Sequence, residues 1–266
     1  LERHALVPMF GEQPIEMGIN DSNKHEIITR FRQDPDYAQR FAAAFPGESE
    51  PVNFHNLIKA LSNFMRGVIS ADSRYDQVKQ GKLSFSPAEA RGEALFRSEK
   101  AQCFNCHGSF NFNDQVVHAN STQVETPFHN TGLYNIDGKG GFPEPNRGIL
   151  ELSGKPADMG AFRAPSLRNV ALTAPYMHDG SLATLEDVLD FYAAHGRVLH
   201  GGSHAGDGRA SPLKDARVNQ IKLNAQDKAD LIAFLKSLSD SSLLTNPRFS
   251  DPFQPPAMAT KTTPKT

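Results

Sequence analysis

The chain alternates stretches of helical apolar spacing with long aperiodic segments. VNFHNLIKALSNFMRGVIS places Phe54, Leu57, Ile58, Leu61, Phe64, Met65 and Val68 three or four positions apart, which predicts an amphipathic helix with a core-facing stripe. HEIITRFRQD and PDYAQRFAAAF read as shorter helices before it. In SPAEARGEALF, Ser86 can cap, Pro87 suits the first helical position and Glu89 completes a capping box. TLEDVLDFYAAHG sets Leu185, Val188, Leu189 and Tyr192 on one face and is stopped by Gly196. NAQDKADLIAFLKSLSD gives a last amphipathic helix carrying Leu231, Ile232, Leu235 and Leu238. From Gly108 to about Asn169 the chain is rich in Gly, Pro, Asn and Asp without a sustained period. Strand alternation is sparse, so the expected fold is all-α with long ordered loops. The segment 246–266, dense in Pro, Thr and Lys, reads as a disordered tail.

Composition narrows the partners. The 28 basic and 30 acidic residues give a formal charge of −2, which offers no case for nucleic acid or for an anionic membrane surface. No apolar run approaches a membrane span, so no membrane insertion is expected. The chain starts at Leu1 without an initiator Met or a leader, as a mature product or a fragment of a longer chain would.

The two cysteines stand together in AQCFNCHGSF. A redox pair would leave His107 unexplained and belongs where a strand enters a helix. Zinc wants four ligands, adjacent residues such as Cys106 and His107 rarely reach one metal, and the chain has no second cysteine pair. Covalent attachment of haem c employs all three side chains, since Cys103 and Cys106 form thioethers and His107 ligates the iron. Such haem is attached outside the bacterial cytoplasm, so the motif argues for a periplasmic location. A helix before Cys-x-x-Cys-His, a loop around the haem edge and a terminal amphipathic helix are the plan of a cytochrome c-type haem domain. The second axial ligand stays open between Met159, Met177 and Tyr192: methionine would raise the reduction potential, whereas a phenolate favours oxidised iron.

Seven segments together resemble the bacterial di-haem cytochrome c peroxidase superfamily, especially its MauG-like branch and within it the MbnH-like di-haem enzymes. They are PIEMG, IKALSNFMRGVISADSRYD, AEARGEALF, CFNCHGSFNF, FHNTGLYN, FRAPSLRNVALTAPYMHDGSLATLEDV and DLIAFLKSL. Family members carry two haems, each on its own motif. This chain carries one motif, so it is similar to the C-terminal part of such an enzyme. On that reading residues 1–80 are a helical segment joining to an N-terminal haem domain that holds the second haem, and 81–245 are the C-terminal cytochrome c domain.

The resemblance also implies roles. The family's axial ligand falls on Tyr192, a tyrosine in MauG-like enzymes and a methionine in ordinary peroxidases. Glu16, by itself a solvated carboxylate in a turn after Pro14, matches the distal acid–base group at the peroxide-binding haem. The carbonyls of Thr173 and Pro175 match calcium ligands, a hard cation that oxygen donors suit. Arg163 and Arg168 are candidates for haem propionates or for structural ion pairs. The implied partners are hydrogen peroxide and either a protein substrate, as in MauG, or a small cytochrome donor, as in ordinary cytochrome c peroxidases. A non-catalytic electron-transfer cytochrome is the alternative outside enzymes.

Overall fold

A computed structural model describes residues 1–12, 15–122 and 126–251. Pro14 of the PIEMG motif and most of the expected tail lie outside these residues; within that tail, Pro247–Phe249 form a 3-10 turn. Helix dominates, as the periodicity requires. The helices are α1 (Glu2–Phe10), α2 (Lys24–Gln33), α3 (Pro35–Ala44), α4 (Phe54–Gly67), α5 (Arg74–Lys79), α6 (Pro87–Phe96), α7 (Phe104–His107), α8 (Leu150–Ser153), α9 (Leu185–Ala193), α10 (Ala225–Ser237) and α11 (Ser242–Thr245). The one named sheet among the described residues is the two-residue pair β1 (Val198–Leu199) and β2 (Gly206–Asp207), antiparallel with Val198 opposite Asp207. No described helix is long and apolar enough to cross a membrane.

The chain forms two compact units. The first comprises residues 1–69, 128–163 and 194–218. Here α4 packs against α1, with the Phe10 and Phe54 rings 5.4 Å apart edge to face and Arg66 reaching Glu2 at 2.7 Å. The apolar stripe expected to face a core does not do so throughout. Leu61, Phe64, Met65 and Val68 are between 38% and 55% exposed, and the fully buried positions of α4 are Asn56 and Ser62. Asn56 offsets the cost of its burial by donating to Glu48 at 2.7 Å and to the Pro51 carbonyl at 2.9 Å. Periodicity reveals which face is apolar, but not whether anything covers it.

Side-chain amides order the aperiodic loops of this unit. Buried Asn130 accepts from Gly132 N–H and donates to the Met159 carbonyl, both at 2.9 Å. Buried Asn135 does the same between Gly140 N–H and the Asp207 carbonyl. These bonds satisfy backbone groups that no helix or sheet serves.

The second unit comprises residues 70–127, 164–193 and 219–266. Its core is Phe96, Phe112, Leu185, Leu189, Leu231, Phe234, Leu235 and Leu238, all buried, with Cys103 and Tyr176 packed on its edge. Helices α6 and α10 cross at the centre. Both begin with capping boxes, Ser86 with Glu89 and Asn224 with Asp227. Their crossing is close because Gly92 lacks a side chain: a Cβ there would lie 2.1 Å from the Asp230 carbonyl oxygen. Beside it, the Arg91 guanidinium grips the Asp230 carboxylate through two bonds of 2.8 Å. A further network ties the end of α10 to the loop before α5. Buried Asp240 accepts from the N–H groups of Ala71 and Asp72, while Asn169, in a left-handed conformation, bonds Asp240 N–H and the Ser70 hydroxyl.

Candidate functional site

The motif residues follow directly on α6. Gln102 turns the chain in a left-handed conformation, anchored by Glu99 and Gln220, and delivers Cys103 into the single turn of α7. There the His107 N–H bonds the Cys103 carbonyl at 2.9 Å. Both thiols are unbridged and half-buried. Burial pushes the Cys103 thiol up to about 12.

Whether these residues fit a haem turns on the imidazole. The Nδ1 atom of His107 lies 2.8 Å from the Phe112 carbonyl oxygen, the kind of bond that fixes the ring orientation of a metal-ligating imidazole. Two free thiols one turn apart precede it, at the edge of an aromatic core. The donor set fits haem c, with Cys103 and Cys106 able to form the thioethers and His107 able to ligate iron.

Of the three candidates for the second axial position, Tyr192 is the one whose phenol feels both thiols. Burial first, then Cys106 and Cys103, raise its pKa above the usual tyrosine value. Its ring packs edge to face on Phe191, 5.1 Å away, and its hydroxyl has no hydrogen-bond partner among the described residues. The oxygen is not among the buried polar atoms left without a partner, so it keeps open surface, and a cation opposite it would favour the phenolate. Met177 belongs to the same unit and takes a left-handed conformation in the turn that Tyr176 and Leu182 close. Met159 belongs to the first unit, where its carbonyl accepts from Asn130.

The remaining candidates are spread more widely. Glu16 is exposed in the first unit, just after the Glu12 and Ile15 bridge. Thr173 and Pro175 are exposed in the second unit, and their carbonyls accept no hydrogen bond among the described residues. Arg163 stacks over Phe128. Arg168 is committed to Asp76, at 2.9 and 3.1 Å, so the structural ion pair describes it. Sequence reasoning misses the Phe112 carbonyl and Asp76. Neither carries a local signal: one is a backbone atom, and the other lies 92 residues from its partner.

The second unit, with crossed α6 and α10 above a Cys-x-x-Cys-His turn, is a cytochrome c-type haem domain in its architecture. Comparison with known proteins gives the family. Residues 1–84 match the family model described as di-haem cytochrome c peroxidase. The methylamine utilization protein MauG of Methylorubrum extorquens is 30% identical over 252 residues, covering 93% of this chain and 61% of MauG. Cytochrome c551 peroxidase of Pseudomonas aeruginosa is 28% identical over 260 residues, covering 96% of this chain and 64% of the peroxidase. A crystal structure of a MauG-like protein associated with microbial copper homeostasis is 59% identical, superposes with a TM-score of 0.91, and is matched over 96% of this chain and 73% of that one. The chain belongs to the di-haem cytochrome c peroxidase and MauG family, and that membership implies haem c. It spans a little under two thirds of the length of these two curated relatives.

Proposed function

We propose that the protein is a periplasmic, MauG-like oxidoreductase that uses hydrogen peroxide to oxidise a partner protein, with the haem on Cys103, Cys106 and His107 serving as electron relay and store of oxidising equivalents. Haem c supplies reversible one-electron chemistry at its iron. The family is di-haem and these 266 residues hold one motif, so a second haem would be attached outside them. The exposed apolar face of α4 suits cover by such a haem domain.

The observation that carries the MauG-like reading is Tyr192. Its hydroxyl lies near the two thiols and bonds no described residue; burial raises its pKa, so a cation opposite it is what would favour the phenolate, which holds iron in its oxidised states where a thioether would not. His107, with Nδ1 bonded to Phe112, presents its other nitrogen on a fixed ring. Glu16 would hold and return a proton at its carboxylate beside the peroxide-binding haem of the whole protein. Thr173 and Pro175 would contribute carbonyl oxygens to a calcium ion. The 59% identical relative is associated with microbial copper homeostasis, which points to a protein partner in copper handling.

The test is Tyr192→Phe in the complete holoprotein. The ferric low-spin spectrum of this haem is expected to change, and an unchanged spectrum removes Tyr192 as ligand. Peroxide consumption separates the runner-up: turnover sustained by a reduced small cytochrome, without oxidation of a protein partner, would make the protein an ordinary cytochrome c peroxidase.

A further inference from the structure

Three consecutive residues of the second unit hold the loop that carries the imidazole's acceptor. The Ser166 hydroxyl donates to the Asn111 carbonyl at 2.6 Å, the Leu167 N–H to the Phe112 carbonyl at 3.3 Å, and Arg168 to the Phe110 carbonyl at 3.1 Å. Every carbonyl from 110 to 112 is therefore gripped from 166 to 168. The grip has something to resist. Phe112 sits at φ 55°, a left-handed conformation that a bulky side chain rarely adopts, with its ring buried in the core. Its carbonyl is the one that His107 Nδ1 meets at 2.8 Å.

Arg168 anchors this clamp. Its guanidinium lies 5.9 Å from the centre of the Phe112 ring and forms three bonds of 2.9 to 3.1 Å with Asp76. Asp76 is itself fixed by the Ser73 N–H and hydroxyl in the capping box of α5. Both side chains of the ion pair are largely buried, at 14% and 12% exposed. The fork shape matters: one guanidinium spans a carboxylate and a backbone carbonyl at once, which an ammonium does not.

We infer that Arg168 is a positioning residue for the His107 imidazole: with Ser166 it clamps residues 110–112 so that the Phe112 carbonyl stays aimed at Nδ1. This rests on His107 ligating the iron. A hydrogen bond from Nδ1 makes a ligating imidazole more electron-rich and stabilises the oxidised metal. Loosening the clamp should therefore raise the reduction potential of this haem. Loss of the arginine's charge alone acts in the opposite direction, because a nearby positive charge disfavours the oxidised, more positive iron.

The opposed signs make the test. In the complete holoprotein, Arg168→Gln and Arg168→Lys are compared with wild type by potentiometric titration, followed at the low-spin signal of the haem on Cys103 and Cys106. An upward shift in both is expected, since lysine keeps the charge but not the fork. A downward shift in the glutamine variant, or an unchanged potential in both, overturns the proposal even where stability falls. Should neither variant fold, Ser166→Ala removes one grip alone: a smaller upward shift upholds the clamp and no shift overturns it. His107→Gly in parallel tests the foundation. If it leaves the low-spin signal unaltered, ligation by His107 has failed; if the signal is lost while the Arg168 variants keep the wild-type potential, only the clamp has failed.

Discussion

On an open helix surface, replacing glycine with alanine stabilises by about 1 kcal/mol, because alanine has less backbone freedom to lose. At Gly92 the sign should reverse. A Cβ there would stand 2.1 Å from the Asp230 carbonyl oxygen and 2.7 Å from the Phe234 Cβ, neither of them the end of a flexible side chain. Ordinary contact requires α6 and α10 to part by about 1 Å, and a gap of that size forfeits a quarter to a half of the dispersion energy across it. The chains that lose contact include Phe96, Leu231 and Phe234, all essentially fully buried and each contributing roughly 1.5–3 kcal/mol by burial. Losing a third or so from each of these three is about 2 kcal/mol, within the usual range for overpacked cores, and the gain in helix propensity offsets about 1. The expected net loss for Gly92→Ala is thus about 1 kcal/mol, read as a lower urea midpoint with an unchanged slope by far-ultraviolet circular dichroism of the holoprotein. Gly67→Ala serves as control, since a Cβ at Gly67 meets nothing within 4 Å. Equal or greater stability for Gly92→Ala would refute the claim that the crossing is set by backbone contact.

Two other outcomes are expected. Cys103→Ala combined with Cys106→Ala should leave a haem-free protein without fixed tertiary packing, seen as loss of near-ultraviolet dichroism; a well-packed double variant would show that the core stands without its cofactor. Asp215, whose pKa the Arg217 guanidinium lowers from 3.8 to about 2 with His129 adding a smaller bond, should stabilise the first unit fully above pH 4 and lose that contribution as the pH falls toward 2. Asp215→Asn should flatten this acid limb by on the order of 1 kcal/mol, after allowance for the partial exposure of Arg217, and a limb of unchanged steepness would contradict the assignment.

What can be read from the sequence is what is local. The starts of α6 and α10 are written in Ser86, Glu89, Asn224 and Asp227, and the cofactor reading is written in the Cys-x-x-Cys-His motif. Helix α1 leaves no such mark, because Pro8 lies inside it and its apolar spacing is weak. Helix α5 is only six residues long, too short for a period to show. The α4 stripe is legible, but its exposure depends on neighbours that no periodicity records. The loops between Gly108 and Asn169 look featureless for a related reason. Their order comes from Asn130, Asn135, Ser166 and Arg168 reaching backbone groups far along the chain, and composition registers such residues only as polar.

The surroundings of half-buried Cys103 bear on the order of assembly. Thioether formation needs a nucleophilic sulfur, and its surroundings push this thiol from 9.0 up to about 12, so the folded chain disfavours the thiolate. On the proposed haem attachment, joining before Phe96, Phe112 and Phe234 close together would meet the more reactive sulfur, with both thiols still unbridged.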